Sequence, residues 1–419
     1  MRAPRDLRLH GLTIALTRRY DRGPTCTVSI HVTKQPLDTH LSLPSVTLDL
    51  WRYPYSSQDQ LRAWDAADEM LLEHLLALAA PATSPLIVND SFGALGAALQ
   101  AYHPVSWSDS RLAHQGLQAN LHNNDLPAEH VTCLPSTTAP TGKLSWVVMK
   151  VPKNLALFED QLLRIRPCLT PDSRIWVAGM VKTMPSSVWQ KLERIIGPTQ
   201  TSQARKKARY VEVTYDSTLE PGDNPYPTTW HFDPLTLDMT NHANVFSREK
   251  LDIGTRLLLQ HMPKADGATQ RRAKNIIDLG CGNGIVGMLA AQQHPGASVS
   301  FIDESYMAID SARANFLQLP TPRGEAHFTV GDGLQHCSAE QADLILCNPP
   351  FHAGHAVGDA SAVAMFEEAA RVLKVDGELW VVGNRHLDYH IKLKRWFKRV
   401  ELAASNTKFV VLKATSPRV

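Results

Sequence analysis

Short apolar runs rich in Val and Ile recur through the second half of the chain: Ile276 to Leu279, Val299 to Ile302, Leu344 to Cys347 and Leu379 to Val382. They alternate with stretches of helical period, Glu304 to Leu317 and Ala362 to Leu373. Strands without polar alternation, separated by helices, predict a parallel sheet whose two faces are covered by crossover helices. Thr407 to Ala414 predicts a closing strand. Near the start, Gln60 to Ala80 carries Leu61, Trp64, Ala67, Leu71, Leu72 and Leu75 at helical spacing, the pattern of a packing face.

The α/β pattern occurs twice. Val105-Ser-Trp-Ser-Asp-Ser matches Val299-Ser-Phe-Ile-Asp-Glu-Ser, and Leu86-Ile-Val-Asn-Asp-Ser-Phe-Gly matches Ile276-Ile-Asp-Leu-Gly-Cys-Gly-Asn-Gly. Gln118-Ala-Asn-Leu pairs with Arg313-Ala-Asn-Phe, Phe158-Glu-Asp with Phe366-Glu-Glu, and Asp172-Ser-Arg-Ile-Trp-Val-Ala-Gly with Asp376-Gly-Glu-Leu-Trp-Val-Val-Gly. Collinear matches of this kind imply two copies of one domain. The first is expected over 42–215 and the second over 242–419, joined by a linker over 216–241 rich in Pro, Asp and Thr. Residues 1–41 are left as an extension, disordered or translated from a start placed too early.

A length of 419 residues accommodates two domains, and 43% hydrophobic with 20% charged residues describes a globular rather than a disordered chain. Lys and Arg total 43 against 41 Asp and Glu, a formal charge of +2, so a nucleic-acid surface has to come from local clusters. Six cysteines without a C-x-x-C pair argue against a zinc ribbon or a disulfide framework and for a reducing cytoplasmic setting. No apolar run reaches the ~20 residues of a membrane span, and the basic start lacks the apolar core of a secretory signal.

The chemistry concentrates in the second copy. Asp278-Leu-Gly280-Cys-Gly282-Asn-Gly284 follows a strand and opens a helix, where glycines let the backbone approach a ligand and an acid can bind a hydroxyl or ammonium group. Gly282, Gly284, Gly287 and Asp303 equally satisfy a dinucleotide fingerprint, so this motif alone leaves the cofactor open. Asn348-Pro349-Pro350-Phe351 narrows the choice. It follows the strand Leu344 to Cys347, at the carboxyl end where open α/β sheets bind ligands. Two prolines remove two N–H donors and leave carbonyl acceptors. The Asn348 side-chain oxygen and the Pro349 carbonyl can each take one N–H of an exocyclic amino group, aiming its lone pair at an electrophile. Phe351 offers a face on which a flipped base can stack.

With these residues the second copy resembles the class I methyltransferases that use S-adenosylmethionine and act on amino nitrogens through an N-P-P-[FY] signature. The resemblance implies an α/β fold of two tandem class I (Rossmann-like) methyltransferase domains, the amino-terminal one degenerate. It implies that Asp278, Gly280, Gly282 and Gly284 face the methionine part of the cofactor, that Asp303 binds the ribose, that Asp332 lies at the adenine and that no metal is needed. Leu61-Arg-Ala-Trp-Asp-Ala-Ala-Asp-Glu, Val245-Phe-Ser-Arg-Glu-Lys-Leu-Asp-Ile-Gly-Thr and Asn384-Arg-His-Leu-Asp-Tyr are similar to the bacterial 23S rRNA guanine-N2 methyltransferases of the guanine-1835 type. That likeness spans about residues 42–417, with the 16S rRNA guanine-N2 methyltransferases as the nearest related family.

In the first copy Asn348-Pro-Pro-Phe is matched by Lys150-Val-Pro-Lys153, and the glycine turn keeps one glycine of three, which removes cofactor binding. Lys150 and Lys153, the cluster Arg205, Lys206 and Lys207, then Arg385, and Lys392, Lys394 and Arg395 interleaved with Trp396 and Phe397, are the candidate RNA contacts. The expected activity is N2 methylation of a guanine in free or partly assembled 23S rRNA by a monomer that needs no membrane. The alternatives are another amino-nitrogen substrate (16S rRNA guanine, DNA adenine-N6 or a glutamine amide), a noncatalytic RNA-binding assembly factor and, distantly, a nicotinamide enzyme.

Overall fold

The computed structural model describes residues 38–56, 60–264, 273–320, 324–350 and 360–418 with their side chains, and the backbone alone of strands within 7–34 and of helical residues 354–359. That leading backbone forms a three-stranded antiparallel sheet, β1 (Leu7–Leu9), β2 (Leu12–Tyr20) and β3 (Cys26–Lys34).

The first domain opens with a hairpin, β4 (His40–Leu43) and β5 (Val46–Asp49), and helix α1 (Ala66–Leu75). The helix begins later than its apolar spacing predicts because Asp65 starts it: its carboxylate caps the N–H groups of Ala67 and Asp68, and the Asp68 carboxylate accepts the Asp65 N–H. The domain continues through β6 (Leu86–Val88), α2 (Ala94–Ala98), β7 (Val105–Ser108), α3 (Arg111–Asn123), β8 (Thr132–Pro135), β9 (Trp146–Lys150), α4 (Leu155–Ile165), β10 (Arg174–Met180), α5 (Ser186–Ile195), β11 (Thr199–Thr201) and β12 (Ala208–Thr214). Its sheet has the order β8-β7-β6-β9-β10-β12-β11, parallel except where β12 runs against β10 and β11.

The second domain repeats each step. A hairpin, β13 (Thr228–Phe232) and β14 (Leu237–Asn241), and α6 (Ile253–His261) lead into β15 (Asn275–Leu279), α7 (Ile285–Gln293), β16 (Ser298–Asp303), α8 (Tyr306–Phe316), β17 (Ala326–Val330), β18 (Ala342–Cys347), α9 (Gly354–Val372), β19 (Leu373–Asn384), α10 (Tyr389–Leu393), β20 (Phe397–Ser405) and β21 (Phe409–Pro417). Its sheet order, β17-β16-β15-β18-β19-β21-β20, is the order of the first domain, with β21 again antiparallel. The chain is therefore two tandem α/β domains of one topology.

The region read as a linker over 216–241 holds the second domain's opening hairpin. Phe232, Leu235 and Met239 are buried in that domain's core. One buried asparagine per copy docks the hairpin. Asn315 receives the Thr240 N–H at 2.7 Å and donates to the carbonyls of Thr240 and Asn283, while Asn120 makes the same three bonds to Trp51 and Phe92. Pro, Asp and Thr mark the turns but do not reveal that the residues between them pack.

The ladders also correct the internal alignment by one residue. Leu86 lies in register with Val105 and Val147, and Ile277 with Ser300 and Ile345. Leu86, Val147 and Ile175 share a core with α4 and α5, as Ile277, Ile345 and Leu379 share one with α9 and α10. Hence Leu86 corresponds to Ile277, not Ile276, and Asp109 to Glu304, not Asp303. Slipping a strand by one residue would turn its core face to the other side of the sheet, which similarity of sequence alone does not detect. In this register Lys150 does correspond to Asn348, Gly93 to Gly284 and Ser110 to Ser305.

The domains meet about a local pseudo-twofold axis. Ser110 and Ser305 form an antiparallel bridge, the Arg111 N–H donates to the Glu304 carbonyl at 2.9 Å and the Tyr306 N–H to the Asp109 carbonyl at 3.0 Å. The side chains reciprocate: Ser110 Oγ donates to Glu304 Oε2 at 2.5 Å and Ser305 Oγ to Asp109 Oδ2 at 2.6 Å. Equivalent residues bonding to one another is the signature of an isologous contact between two copies of one unit.

Candidate active site

The site lies at the carboxyl ends of β15, β16 and β18. Leaving β15, the chain turns through Gly280, Gly282 and Gly284, all at positive φ (72°, 53° and 82°), a conformation that costs an L-residue with a Cβ about 1–2 kcal/mol. The three glycines have different jobs. A Cβ on Gly284 would stand 2.9 Å from that of Ala312, so this position lets α7 pack on α8. A Cβ on Gly282 would meet nothing within 4 Å, because it would project into open cavity. At Gly280 the nearest atoms include the Asn348 carbonyl at 3.8 Å, which brings the two sequence motifs together.

The cavity measures about 430 Å³ and is lined by Asp278, Gly280, Gly282, Asp303, Asp332, Asn348, Pro349 and Pro350. All of these were picked out in the sequence. Gly284 is not part of the lining, and Phe351 lies outside the described residues. Asp278 is 2% exposed, and its Oδ2 accepts the Gly287 N–H at 2.8 Å. Burial pushes its carboxyl up to about 8, opposed by that one hydrogen bond. Asp303 accepts from the N–H groups of Gly282 (2.9 Å) and Ser305 (3.0 Å), so it ties the glycine turn to the start of α8; burial raises its pKa as well. Asp332 Oδ2 accepts from Gln335 Nε2 at 2.7 Å. Glu304, one residue beyond Asp303, also lines the cavity. Desolvation, then the negative charges of Asp303 and Asp109, push its carboxyl up to about 7, with the Ser110 hydroxyl opposing, although the residue keeps an exposed face. The lining thus carries five carboxyl groups, those of Asp252, Asp278, Asp303, Glu304 and Asp332, a setting suited to a cationic ligand.

Asn348 is oriented by a relay that the sequence did not expose. The Thr255 hydroxyl lies 3.4 Å from Asp252 Oδ2, which also caps α6 by accepting the Thr255 N–H at 2.8 Å. With its proton directed to Asp252, Thr255 Oγ1 accepts from Asn348 Nδ2 at 2.9 Å. The amide is thereby fixed with Oδ1 turned away, and Oδ1 is a buried acceptor without a partner among the described residues. Because such an atom costs about 1–3 kcal/mol, it marks a place where a donor is to be bound. Asp252 and Thr255 lie in the Leu-Asp-Ile-Gly-Thr part of the segment used for family likeness, but their function is visible only through these distances.

Other lining residues escaped the sequence reading. Asn244, Val245, Phe246, Ser247 and Leu251 form one wall, with Phe246 still 47% exposed. The segment from Val245 carries the family likeness in sequence, but its residue types alone do not mark it as a cavity wall. Leu112 and Lys153 reach the cavity from the first domain.

The remaining candidates separate. Lys150 cannot serve as a phosphate contact: its ammonium is 13% exposed and bonds to Asp65 Oδ1 at 2.8 Å and Asp68 Oδ1 at 2.6 Å, filling the first domain's counterpart of the Asn348 position. Removing either carboxylate would strand a buried charge. Arg205 and Lys206 are exposed but pair with Glu73 and Glu69 of α1, and Lys207 is exposed beside them. Phe397 is core and Trp396 packs against the same core, so the interleaved stacking surface expected with Lys392, Lys394 and Arg395 does not form; Lys394 and Arg395 remain exposed cations, and Lys392 lies over the Tyr389 ring. Arg385 Nη2 donates to the Asn406 carbonyl at 2.6 Å. No cluster of metal-ligating side chains and no helix long and apolar enough to cross a membrane occurs among the described residues.

Comparison with known proteins agrees with this architecture. Residues 38–217 match the family model of the RLMG N-terminal domain, and residues 236–413 match that of the methyltransferase small domain. A T. thermophilus 16S rRNA N2 G1207 methyltransferase, solved with AdoMet and guanosine, shares the doubled fold at a TM-score of 0.70 and 20% identity, over 90% of this chain and 97% of that one. A ribosomal RNA large subunit methyltransferase G of Stutzerimonas stutzeri is 47% identical over 376 residues, 89% of this chain and 98% of its own length. The corresponding protein of Aeromonas salmonicida is 45% identical over 90% of this chain and 99% of its own length. The chain belongs to the ribosomal RNA large subunit methyltransferase G family.

Proposed function

We propose that this protein methylates the exocyclic N2 of a guanine in 23S rRNA, of the guanine-1835 type, with S-adenosylmethionine as donor. The enzyme class and the cofactor follow from the family. The observation that carries the choice of an amino nitrogen is the unpartnered Asn348 Oδ1, held in the same cavity as the glycine turn.

The cavity fits the cofactor. Gly282 leaves a cradle that any side chain would fill, and the carboxyl groups of Asp278, Asp303, Glu304 and Asp332 suit a ligand with ammonium and sulfonium charges and ribose hydroxyls. Bound there, S-adenosylmethionine supplies a methyl group already activated toward a nucleophile. The protein's own work is positioning and exclusion of water. Asn348 Oδ1 and the Pro349 carbonyl accept the two N–H bonds of the guanine amino group. Its lone pair is thereby turned out of conjugation with the ring and toward the donor. Phe351, by the motif's chemistry, and Phe246 of the cavity lining supply stacking surface for the flipped base. Lys153, carried into the cavity by the first domain, meets the nucleotide as a cation. Lys207, Lys394 and Arg395 extend the electrostatic contact over the RNA backbone. The enzyme works as a cytoplasmic monomer on free or partly assembled rRNA, since two fused copies already form the paired interface.

The test is incubation with deproteinised rRNA and labelled S-adenosylmethionine, followed by nucleoside mapping. Label in N2-methylguanosine of 23S rRNA is expected. Label in N6-methyladenosine, label confined to 16S rRNA, or no transfer to RNA overturns the proposal.

A further inference from the structure

The first domain has lost its own cofactor turn, yet one residue at the end of its second core strand is a junction for the other domain's site. Asp109 is 4% exposed, and its two oxygens accept four hydrogen bonds. Oδ1 takes Ser136 Oγ at 2.5 Å and the Met307 N–H at 2.8 Å; Oδ2 takes Ser305 Oγ at 2.6 Å and Asn244 Nδ2 at 2.6 Å. These donors come from three places. Ser136 belongs to the first domain, Ser305 and Met307 to the start of α8, and Asn244 to the wall that also carries Phe246. Ser305 and Asn244 both line the cavity.

Ser305 is also tied to the cofactor half through its N–H, which donates to Asp303, the residue that receives the Gly282 N–H. A single carboxylate in the degenerate copy thus holds two neighbouring segments of the armed copy's cavity lining together. Its counterpart in the pseudo-twofold, Glu304, also lines that cavity and accepts from Ser110 of the first domain. We infer that Asp109 is a positioning residue for the cofactor cavity, a strand-end acid of the first copy that now sets the spacing of the second copy's walls. On this view the first domain is a required part of the cofactor site rather than only a platform for RNA. The inference depends on the cofactor and not on which base is methylated, so it is read without RNA.

Asp109→Asn in the full-length protein keeps the shape but replaces one acceptor oxygen by a donor facing donors. Calorimetric titration with S-adenosylmethionine is expected to show affinity lowered by about tenfold, the size of effect that a small misplacement of binding groups produces. In turnover the KM for the cofactor rises while that for RNA changes little. Tyr306→Phe serves as the comparison: it removes the bond between the Tyr306 hydroxyl and His114 Nδ1 at 3.0 Å, on the same interface but away from the cavity. It is expected to lower the melting temperature and leave cofactor affinity as it was. If Asp109→Asn does not fold, Ser305→Ala, which removes one of the four bonds, is measured in the same way. Unchanged cofactor affinity in the folded variant, or an equal loss in Tyr306→Phe, overturns the inference. A normal cofactor response with no methylation of 23S rRNA would instead count against the proposed substrate.

Discussion

Replacing Asn348 by alanine separates activity from stability in a way that the geometry dictates. Two structural consequences oppose each other in the free protein. The bond from Nδ2 to Thr255 Oγ1, 2.9 Å long, is lost, which costs about 1 kcal/mol. The unpartnered Oδ1 is removed as well, which relieves a desolvation cost of about 1–3 kcal/mol. Folding stability therefore stays level or rises by up to about 2 kcal/mol, a shift of only a few degrees in Tm at this chain length. Catalysis has no such compensation. The acceptor is needed as the amino group is turned toward the methyl donor, and deleting one preorganised hydrogen-bonding group of this kind costs about 3–4 kcal/mol, or about a hundred- to a thousand-fold in rate. The assay is single-turnover transfer of labelled methyl to 23S rRNA with cofactor saturating, alongside thermal unfolding and calorimetric cofactor binding. A rate within about tenfold of wild type, too small for a lost transition-state contact, would refute the acceptor role. A large fall in Tm would refute the reading of Oδ1 as an unsatisfied atom.

Three further outcomes are expected. Thr255→Val keeps the shape but frees the Asn348 amide to rotate, so turnover falls by about tenfold while cofactor affinity holds; an unchanged rate would show that the relay from Asp252 does not matter. Gly282→Ala and Gly284→Ala separate the two uses of glycine: the first fills the cradle and weakens cofactor binding at modest structural cost, whereas the second forces a contact with Ala312 and lowers stability by about 2–4 kcal/mol from strain and overpacking, read by denaturant unfolding. Equal behaviour of the two variants would contradict the assignment. Asp278, with its carboxyl pushed up to about 8, is mostly protonated at neutral pH in the free protein, and a cationic ligand favours the carboxylate. Cofactor binding therefore releases a proton, and affinity rises as pH goes from about 6 to 8 and levels above that, checked by calorimetry in buffers of different ionisation heat; a flat profile would place Asp278 away from the charge.

The same carboxyl has a sign for stability too. Its folded pKa lies above its unfolded value near 4, so the native state is favoured while the group is protonated, and that contribution declines as pH rises through about 8. Ligand binding and folding thus pull in opposite directions at Asp278. Burying an acid at the end of β15 is tolerable because the Gly287 N–H takes part of the load and the ligand takes the rest.

Much of this protein was legible in its residues because the relevant physics is local. Apolar runs specify strands buried on both faces, and the glycine turn and the two prolines at 349 and 350 constrain the backbone wherever they occur. The residues alone therefore put Asp278, Gly282 and Asn348 at strand ends, and the paired matches disclose the duplication. What the sequence left undecided depended on through-space partners. A one-residue slip between the copies keeps similar letters aligned but reverses the faces of a strand, and only the ladder shows that Asp109 answers to Glu304. Lys150 and Lys153 look alike in the chain. Folding buries one between Asp65 and Asp68 and delivers the other to the lining of the cavity, because burial is set by what packs on a position. The composition over 216–241 reads as a linker, yet residues 228–241 form a hairpin that Asn315 docks onto the second domain. The tertiary structure alone decided that the disarmed copy shares in building the cavity, since the hydrogen bonds of Asp109 join residues far apart in sequence that meet only at the pseudo-twofold axis.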